Sequence, residues 1–207
     1  MRWWGWLIVA LTGLAVLGWA LMNTFRAEIG MALFERQVQT QVGIDPSADL
    51  PDGLHVYLCG TGSPIPDPSR AGPCVGVLAG KSAFIFDTGS GSMRNLARMG
   101  FPIGSTRKAF LTHLHSDHID GLGELMLQAW VGGSRSTPLP VSGPEGTRDV
   151  IAGFVAAYSV DATYRTAHHG EEIADSQGFG AVADEISFAP GRRQNVVHEA
   201  GGVTITA

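Results

Sequence analysis

The chain has 207 residues, is 44% hydrophobic and carries a formal net charge of −5 at pH 7. This length allows one domain with an additional segment. The acidic balance counts against a general nucleic-acid-binding surface, because neutralising phosphate groups requires many Lys and Arg side chains.

The N-terminal segment Trp3–Met22 contains no charged residue. As a helix rising about 1.5 Å per residue, it would span about 30 Å, the thickness of a bilayer core. Trp3, Trp4 and Trp6 cluster at one end, where indole rings favour the membrane interface. A cleaved signal peptide usually has a shorter apolar region and a small-x-small cleavage site. We therefore predict a single-pass transmembrane anchor over residues 1–24, with the following domain periplasmic or extracellular.

Residues 25–53 are predicted to form an amphipathic juxtamembrane helix and then a linker. Phe25, Ile29 and Leu33 recur at nearly helical spacing among charged residues. This apolar face would either lie on lipid or pack on the following domain. The proline- and glycine-containing stretch 45–53 indicates the linker.

Residues 54–207 are predicted to form one α/β domain. Short apolar runs between glycine-containing turns predict strands at 54–58, 74–79 and 83–86, the last two forming a hairpin. Further along the chain, strands are predicted at 139–141, 196–199 and 203–207, and a helix at 147–158.

The chain contains two cysteines, Cys59 and Cys74. Both lie in apolar, strand-like stretches, which is typical of buried thiols. If the domain lies outside the cytoplasm, the two could instead form a disulfide, provided that they occupy adjacent strand positions. The sequence leaves both alternatives open.

Three histidines and one aspartate fall within six residues, directly after the apolar run 109–112, which is predicted to be a buried strand. His113 and His115 are two residues apart and can point the same way, which offers one metal two neutral imidazoles. Asp117 and His118 are adjacent and can serve a second metal. Imidazole with carboxylate suits zinc, and also manganese or iron. A chance cluster of this composition behind a strand is improbable, so we predict a metal site here.

Two further positions carry candidate functional residues. Asp87 ends the strand 83–86, and a buried carboxylate needs a partner, of which a helix cap is one possibility. His168 and His169 lie in the segment 164–170, which is predicted to be a loop near the mouth of the site. They are candidates for substrate contact or metal ligation, although histidines are also common in surface loops.

The motif His-x-His-x-Asp-His at 113–118, placed after a strand, resembles the signature of the metallo-β-lactamase fold. That fold is an α/β (α+β) αββα sandwich of zinc-dependent hydrolases. Two other stretches narrow the resemblance to the ribonuclease Z and arylsulfatase-type branch. They are Tyr-Leu-Cys-Gly-Thr-Gly-Ser-Pro at 57–64 and Phe-Ile-Phe-Asp-Thr-Gly at 84–89.

The resemblance implies a site for two divalent metals, usually Zn²⁺, with Mn or Fe as alternatives. His113 and His115 would hold one metal, and Asp117 and His118 the other. A water shared by the metals would become hydroxide near neutral pH and attack the ester. Asp117 would also act catalytically by orienting or deprotonating the nucleophile. Asp87 would support residues 113–118, called the metal loop below, by hydrogen bonding.

The resemblance implies a phosphodiester or sulfate ester substrate. Ribonuclease Z usually has Asp-Cys-Gly-Glu-Gly-Thr-Gln where residues 87–93 read Asp-Thr-Gly-Ser-Gly-Ser-Met. This departure, the apolar span and the acidic balance favour a small-molecule ester over nucleic acid, and 116–125 looks more like the arylsulfatase-type or small phosphodiester branch. A non-catalytic, membrane-tethered metal-binding module or an inactive fragment is the alternative.

Members that this chain resembles carry a further histidine, an aspartate and a last histidine after the strand matching Val203–Ala207. None of these follows here, so we expect the N-terminal half of the fold with its C-terminal half largely missing. Without a second sheet, the strands after Leu54 are expected to expose one apolar face and a sheet edge. The pattern leaves the oligomeric state open.

Overall fold

The computed structural model describes residues 3–41, 45, 47–65, 67–191 and 193–207, and the chain divides into two compact units, Met1–Ile44 and Asp45–Ala207. In the first unit, helix α1 spans Trp3–Thr24 and helix α2 spans Arg26–Gln41. Helix α1 has no buried residue and is long and apolar enough to cross a membrane. Pro46, in the predicted linker, lies outside the described residues.

The second unit combines one large sheet, a hairpin and four helices among its described residues. Its strands and helices follow one another along the chain as β1 (Leu54–Gly60), β2 (Cys74–Ala79), β3 (Ser82–Phe86), α3 (Ser92–Arg98), β4 (Thr106–Phe110), α4 (Ser116–Ile119), α5 (Leu122–Gly132), β5 (Leu139–Gly143), α6 (Thr147–His169), β6 (Ala181–Glu185), β7 (Val196–Ala200) and β8 (Val203–Thr206).

The large sheet has six strands in the order β1-β2-β3-β4-β5-β6. Strands β1, β2 and β3 pair antiparallel, with the 13-residue segment 61–73 joining β1 to β2 and a tight turn joining β2 to β3, whereas β3 to β6 pair parallel through helical crossovers. The carboxyl ends of β3, β4 and β5 therefore lie at one edge. In open α/β sheets this edge is where ligands bind.

The hydrophobic core lies between one face of this sheet and helices α3, α5 and α6. Side chains from alternate strand positions enter it, because successive residues of a strand point to opposite faces. Its buried members include Leu78, Ile85, Leu96, Leu111, Leu122, Leu125, Met126, Leu139, Val141 and Ile151.

The opposite face of the sheet is only partly covered. Strands β7 and β8 form a two-stranded antiparallel hairpin, and its His198 ring lies 4.9 Å from the ring of Phe84. On the edge strand β1, however, Leu54, Val56 and Leu58 are 69%, 58% and 62% exposed. The expected exposed apolar face is therefore present along β1.

The structure corrects one sequence-based expectation, resolves another and adds a strand that was not predicted. Helix α6 continues through His169, so the predicted loop at 164–170 was wrong. Strand β6 was not predicted, because the sequence Ala-Val-Ala-Asp-Glu is short and half polar. Cys59 and Cys74 form a disulfide, because adjacent strands β1 and β2 bring them together.

Candidate metal centre

The predicted metal residues lie at the edge where β4 ends. Strand β4 holds the backbone up to Phe110, and the one-turn helix α4 begins at Ser116. The segment between them carries His113 and His115 over the carboxyl ends of the parallel strands. The strand thus supplies rigidity, and the turn that follows brings the side chains of Asp117 and His118 back toward the same point.

His113 and His115 converge as the spacing predicts. His113 Nε2 and His115 Nδ1 are 3.1 Å apart, and the two rings meet edge to face. Two nitrogen ligands on one tetrahedral zinc, each at about 2.0–2.1 Å, would be separated by about 3.3 Å. The two imidazoles therefore fit a common metal ion with a small adjustment.

His118 is oriented by Asp87. His118 Nδ1 lies 2.8 Å from Asp87 Oδ2, and both side chains are largely buried. An ionised carboxylate only accepts hydrogen bonds, so Nδ1 carries the hydrogen and Nε2 keeps its lone pair. That Nε2 lies 3.7 Å from Asp117 Oδ2. A histidine whose second nitrogen donates to a carboxylate is the usual arrangement of a metal ligand.

Thr112, which sequence reasoning did not single out, links Asp87 to the first histidine. Its backbone N–H donates to Asp87 Oδ1 at 2.8 Å, and its hydroxyl donates to Asp87 Oδ2 at 2.9 Å. Because the single hydroxyl hydrogen is used there, Thr112 Oγ1 accepts the hydrogen on His113 Nδ1, 3.0 Å away. His113 is thereby left with a free lone pair on Nε2, the atom that faces His115.

The backbone around Asp87 is held in a strained conformation. Asp87 has a φ of 56°, in the left-handed region that side chains other than glycine rarely adopt. Its N–H donates to Phe110 O at 2.8 Å, and the next N–H, of Thr88, donates to His118 O at 2.8 Å. Such strain costs about 1–3 kcal/mol and persists where surrounding contacts enforce it. The hydrogen bonds of Asp87 join the end of β3 to the metal loop. The alternative raised by the sequence was a helix cap, and these bonds do not form one.

Glycines let a second backbone segment approach the metal loop closely. A Cβ on Gly89 would lie 2.5 Å from the Asp117 carbonyl oxygen, and one on Gly72 would lie 2.9 Å from the same atom. No larger residue fits at either position without moving the loop. Glycine spacing in the sequence did not reveal this contact, because Gly72 and Asp117 are 45 residues apart.

Across the described residues, no group of three or more His, Cys, Asp or Glu side chains is arranged so that all could hold one metal ion. The geometry instead offers two pairs, His113 with His115 and Asp117 with His118. Donors of this chemistry fit divalent zinc, manganese or iron. Each pair by itself leaves a tetrahedral ion short of protein ligands.

His168 and His169 are not part of this cluster. They form the last turn of α6, exposed and with ring centroids 4.8 Å apart. The helix starts close to the metal loop, since a Cβ on Gly146 would lie 3.1 Å from Leu114. The 23-residue length of α6 then carries the histidines about 33 Å away along its axis.

Comparison with known proteins gives a consistent family. Residues 70–192 match the Metallo-beta-lactamase superfamily. Ribonuclease Z of Mycobacterium bovis (strain BCG / Pasteur 1173P2) is 44% identical over 120 residues, which cover 57% of this chain and 43% of that protein. Ribonuclease Z of Mycolicibacterium gilvum (strain PYR-GCK) is 40% identical over 150 residues, 67% of this chain and 52% of that protein.

Among solved structures, the short form of human tRNase Z superposes with a TM-score of 0.53. It is 22% identical, and the match covers 73% of this chain and 57% of that one. This similarity shows a shared fold and nothing further. The chain spans about half the length of the curated relatives that it matches.

Proposed function

The chain belongs to the metallo-beta-lactamase superfamily, and from that premise we propose that its residues 113–118 supply ligands to a two-metal site that hydrolyses phosphodiester bonds. The paired nitrogens of His113 and His115, 3.1 Å apart, carry this proposal. The two curated relatives compared above are both named ribonuclease Z, which favours a phosphodiester over the sulfate ester that the sequence also suggested.

The proposed assignment follows the geometry of each pair. His113 and His115 would hold one cation, and Asp117 and His118 would hold the other. Bound divalent cations supply Lewis acidity, which makes water a usable nucleophile near neutral pH. Zinc is the proposed metal, with manganese and iron compatible with the same donors.

The protein's own residues have separate tasks in this proposal. Asp87 fixes the lone pair of His118 directly and that of His113 through the Thr112 hydroxyl, so that both rings present a donor atom to the metals. Asp117, whose carboxylate is largely buried beside His118, is proposed to orient the attacking nucleophile and to accept its proton. In this role it would contact both the metal and the reactant.

A non-catalytic metal-binding module, or an inactive fragment, is the second candidate. It is favoured by one specific observation, the presence in the described residues of two ligand pairs and no complete three-ligand cluster. Such a protein would bind metal weakly and turn over no ester. Metal stoichiometry and turnover together separate the two candidates.

The test uses the full chain, purified in detergent with added zinc, and the double variant His113→Ala/His115→Ala. We expect the parent to retain zinc and hydrolyse bis-p-nitrophenyl phosphate, and the variant to lose both, since the ion would lose both of its ligands from this chain. Exposed His168→Ala/His169→Ala is the matched control and should behave as the parent. Zinc binding without turnover would support the non-catalytic module. An unchanged zinc content in the double variant would refute the site. Turnover of p-nitrophenyl sulfate alone would show that the substrate is a sulfate ester.

We also propose that residues 1–24 anchor the chain in a membrane, that 25–53 form the juxtamembrane helix and linker, and that 54–207 are the metal-binding domain. No residue of α1 is buried, which argues against a core helix. The Cys59–Cys74 disulfide favours a domain outside the cytoplasm, since disulfides persist in oxidising compartments. Resistance to alkaline carbonate extraction tests the anchor, and the N-terminal sequence of the mature protein distinguishes it from a cleaved signal peptide.

A further inference from the structure

A basic cavity lies at the amino ends of the parallel strands, whereas the metal loop lies at their carboxyl ends. It has a volume of about 650 Å³ and is lined by Lys81, Arg107, Lys108, Arg135 and His198, together with neutral residues. Both lysines of the 207-residue chain are among these residues. A chain with a net charge of −5 thus places four of its 14 cationic side chains around one concavity.

Most of this positive charge has no acidic partner within the described part of the chain. Lys108 is paired with Asp184, Nζ to Oδ2 at 2.7 Å. No described ion pair includes Lys81, Arg107 or Arg135. Two carboxylates lie near its rim, because Asp45 and Asp52 line a neighbouring pocket that shares Lys81 and Ser105 with this cavity.

Arg135 gives the cavity a fixed cation. Its Nη1 donates to Thr106 O at 2.9 Å and its Nε donates to Thr137 O at 3.2 Å, so backbone carbonyls hold the guanidinium in place. Burial lowers the pKa of this guanidinium from its usual value, which reflects the cost of a partly buried charge. An anion bound beside it would offset that cost. Planar guanidinium groups suit the oxygens of phosphate.

The position of the cavity relative to the start of the domain indicates which kind of anion it binds. Leu54 pairs with Ala79, and Ala79 pairs with Ser82, so the sheet starts at the same edge as Lys81. Polypeptide that follows the apolar N-terminal helix therefore enters the domain at the basic edge. Strand β4, five residues long, separates this edge from the metal loop by about 17 Å.

We propose that the cavity lined by Lys81, Arg107, Lys108 and Arg135 binds the phosphate headgroup of an anionic phospholipid. The proposal rests on the membrane anchor proposed above. Binding at this edge turns the metal loop away from the bilayer and toward soluble substrate. An anchored protein thereby gains a defined orientation on the membrane surface.

The two lysines allow a direct test on the full chain. The chain is reconstituted in nanodiscs of phosphatidylcholine alone or with phosphatidylglycerol, treated with an amine-acetylating reagent, and digested for mass spectrometry. We expect acetylation of exposed Lys81 to slow about fivefold in the anionic discs, the scale set by one cation near an anionic surface. High salt should remove most of the difference.

Arg107→Gln should abolish the protection of Lys81, because it removes an exposed, unpaired cation from the cavity. Arg148→Gln, which removes an exposed cation from the first turn of α6, is the matched control and should retain it. Equal acetylation in both disc types would overturn the proposal. Protection in neutral discs by added glycerophosphate would overturn the lipid assignment in favour of a soluble phosphate.

A failed anchor gives a different result from a failed cavity. If carbonate extraction releases the chain from membranes, the anchor is wrong. Co-sedimentation of the parent and Arg107→Gln with phosphatidylglycerol vesicles then decides the cavity by itself. Equal sedimentation of the two proteins would refute headgroup binding at Arg107.

Discussion

At the carboxyl ends of β3 and β4, short side chains are joined by direct hydrogen bonds, and glycines let the backbone segments touch. At the amino ends of the same strands, four long cationic side chains surround an open cavity of about 650 Å³, and three of these four side chains form no ion pair with another described residue. The carboxyl ends hold their donor atoms in place through a connected set of hydrogen bonds. The amino ends adapt to a diffuse anion. Chemistry at a metal requires the former, and attraction to a charged surface requires only the latter.

The disulfide provides the largest expected contrast between the edges. It joins Cys59, at the end of β1, to Cys74, at the start of β2, and so cross-links the rigid edge. Closing a loop of 15 residues stabilises a fold by about 3 kcal/mol. We expect Cys59→Ala/Cys74→Ala to lower the free energy of unfolding by that amount, measured by urea denaturation of the full chain. A loss below 1 kcal/mol would contradict the view that this edge is the better fixed one.

Asp87→Asn is expected to have the next largest effect, on the metal. The amide keeps the shape of the side chain but loses the charge that holds His118 and, through Thr112, His113. Removing such a supporting carboxylate typically weakens metal binding about 10–100-fold. Competition with a chromogenic zinc chelator measures this.

Asp184→Asn is the matched control for that measurement, because Asp184 is a hydrogen-bonded carboxylate at the basic cavity. It should leave zinc affinity unchanged. Equal weakening by both variants would show that the effect does not arise at the metal loop.

The smallest expected effect is that of Asp184 on stability. Hydrogen bonds from Lys108 and Ser142 lower the pKa of its carboxyl group, so the carboxylate is favoured in the folded state. Its contribution is therefore complete at neutral pH, above the unfolded value of about 3.9, and is lost as the pH falls through the lowered folded value. Because the side chain is largely exposed, we expect about 0.2–1 kcal/mol.

This effect is measured as the difference in unfolding free energy between the parent and Asp184→Asn at pH 7 and at pH 3. The difference should shrink at the lower pH. A difference that grows on acidification would mean that another group dominates at this edge.

The sequence predicted local features well where a few neighbouring residues determine them. The spacing of His113, His115, Asp117 and His118 after an apolar strand was enough to locate the loop, and the hairpin of β2 and β3 followed from its glycine turn. The helix α6 was cut short, because the polar run Tyr-Arg-Thr-Ala-His-His resembles a loop when its packing partner is unknown. Tertiary contacts override such local signals.

Features assembled from distant segments were not predictable in this way. Thr112 became important only once Asp87 was placed beside it, and the basic cavity joins Lys81, Arg107 and Arg135 from three separate stretches. The disulfide required the register of β1 against β2, which no pattern in one strand specifies. These contacts depend on which segments the sheet brings together.

Strand β1 has a practical consequence for handling the protein. Within the described part of the chain it pairs on one side only, and between its start and Gly60 it carries His55 but no lysine, glutamate or proline to discourage a partner. Unpaired amide and carbonyl groups on a strand with exposed leucines and a valine form a template for another extended chain. Self-association in concentrated preparations should therefore begin here, and a charge introduced at Val56 would suppress it.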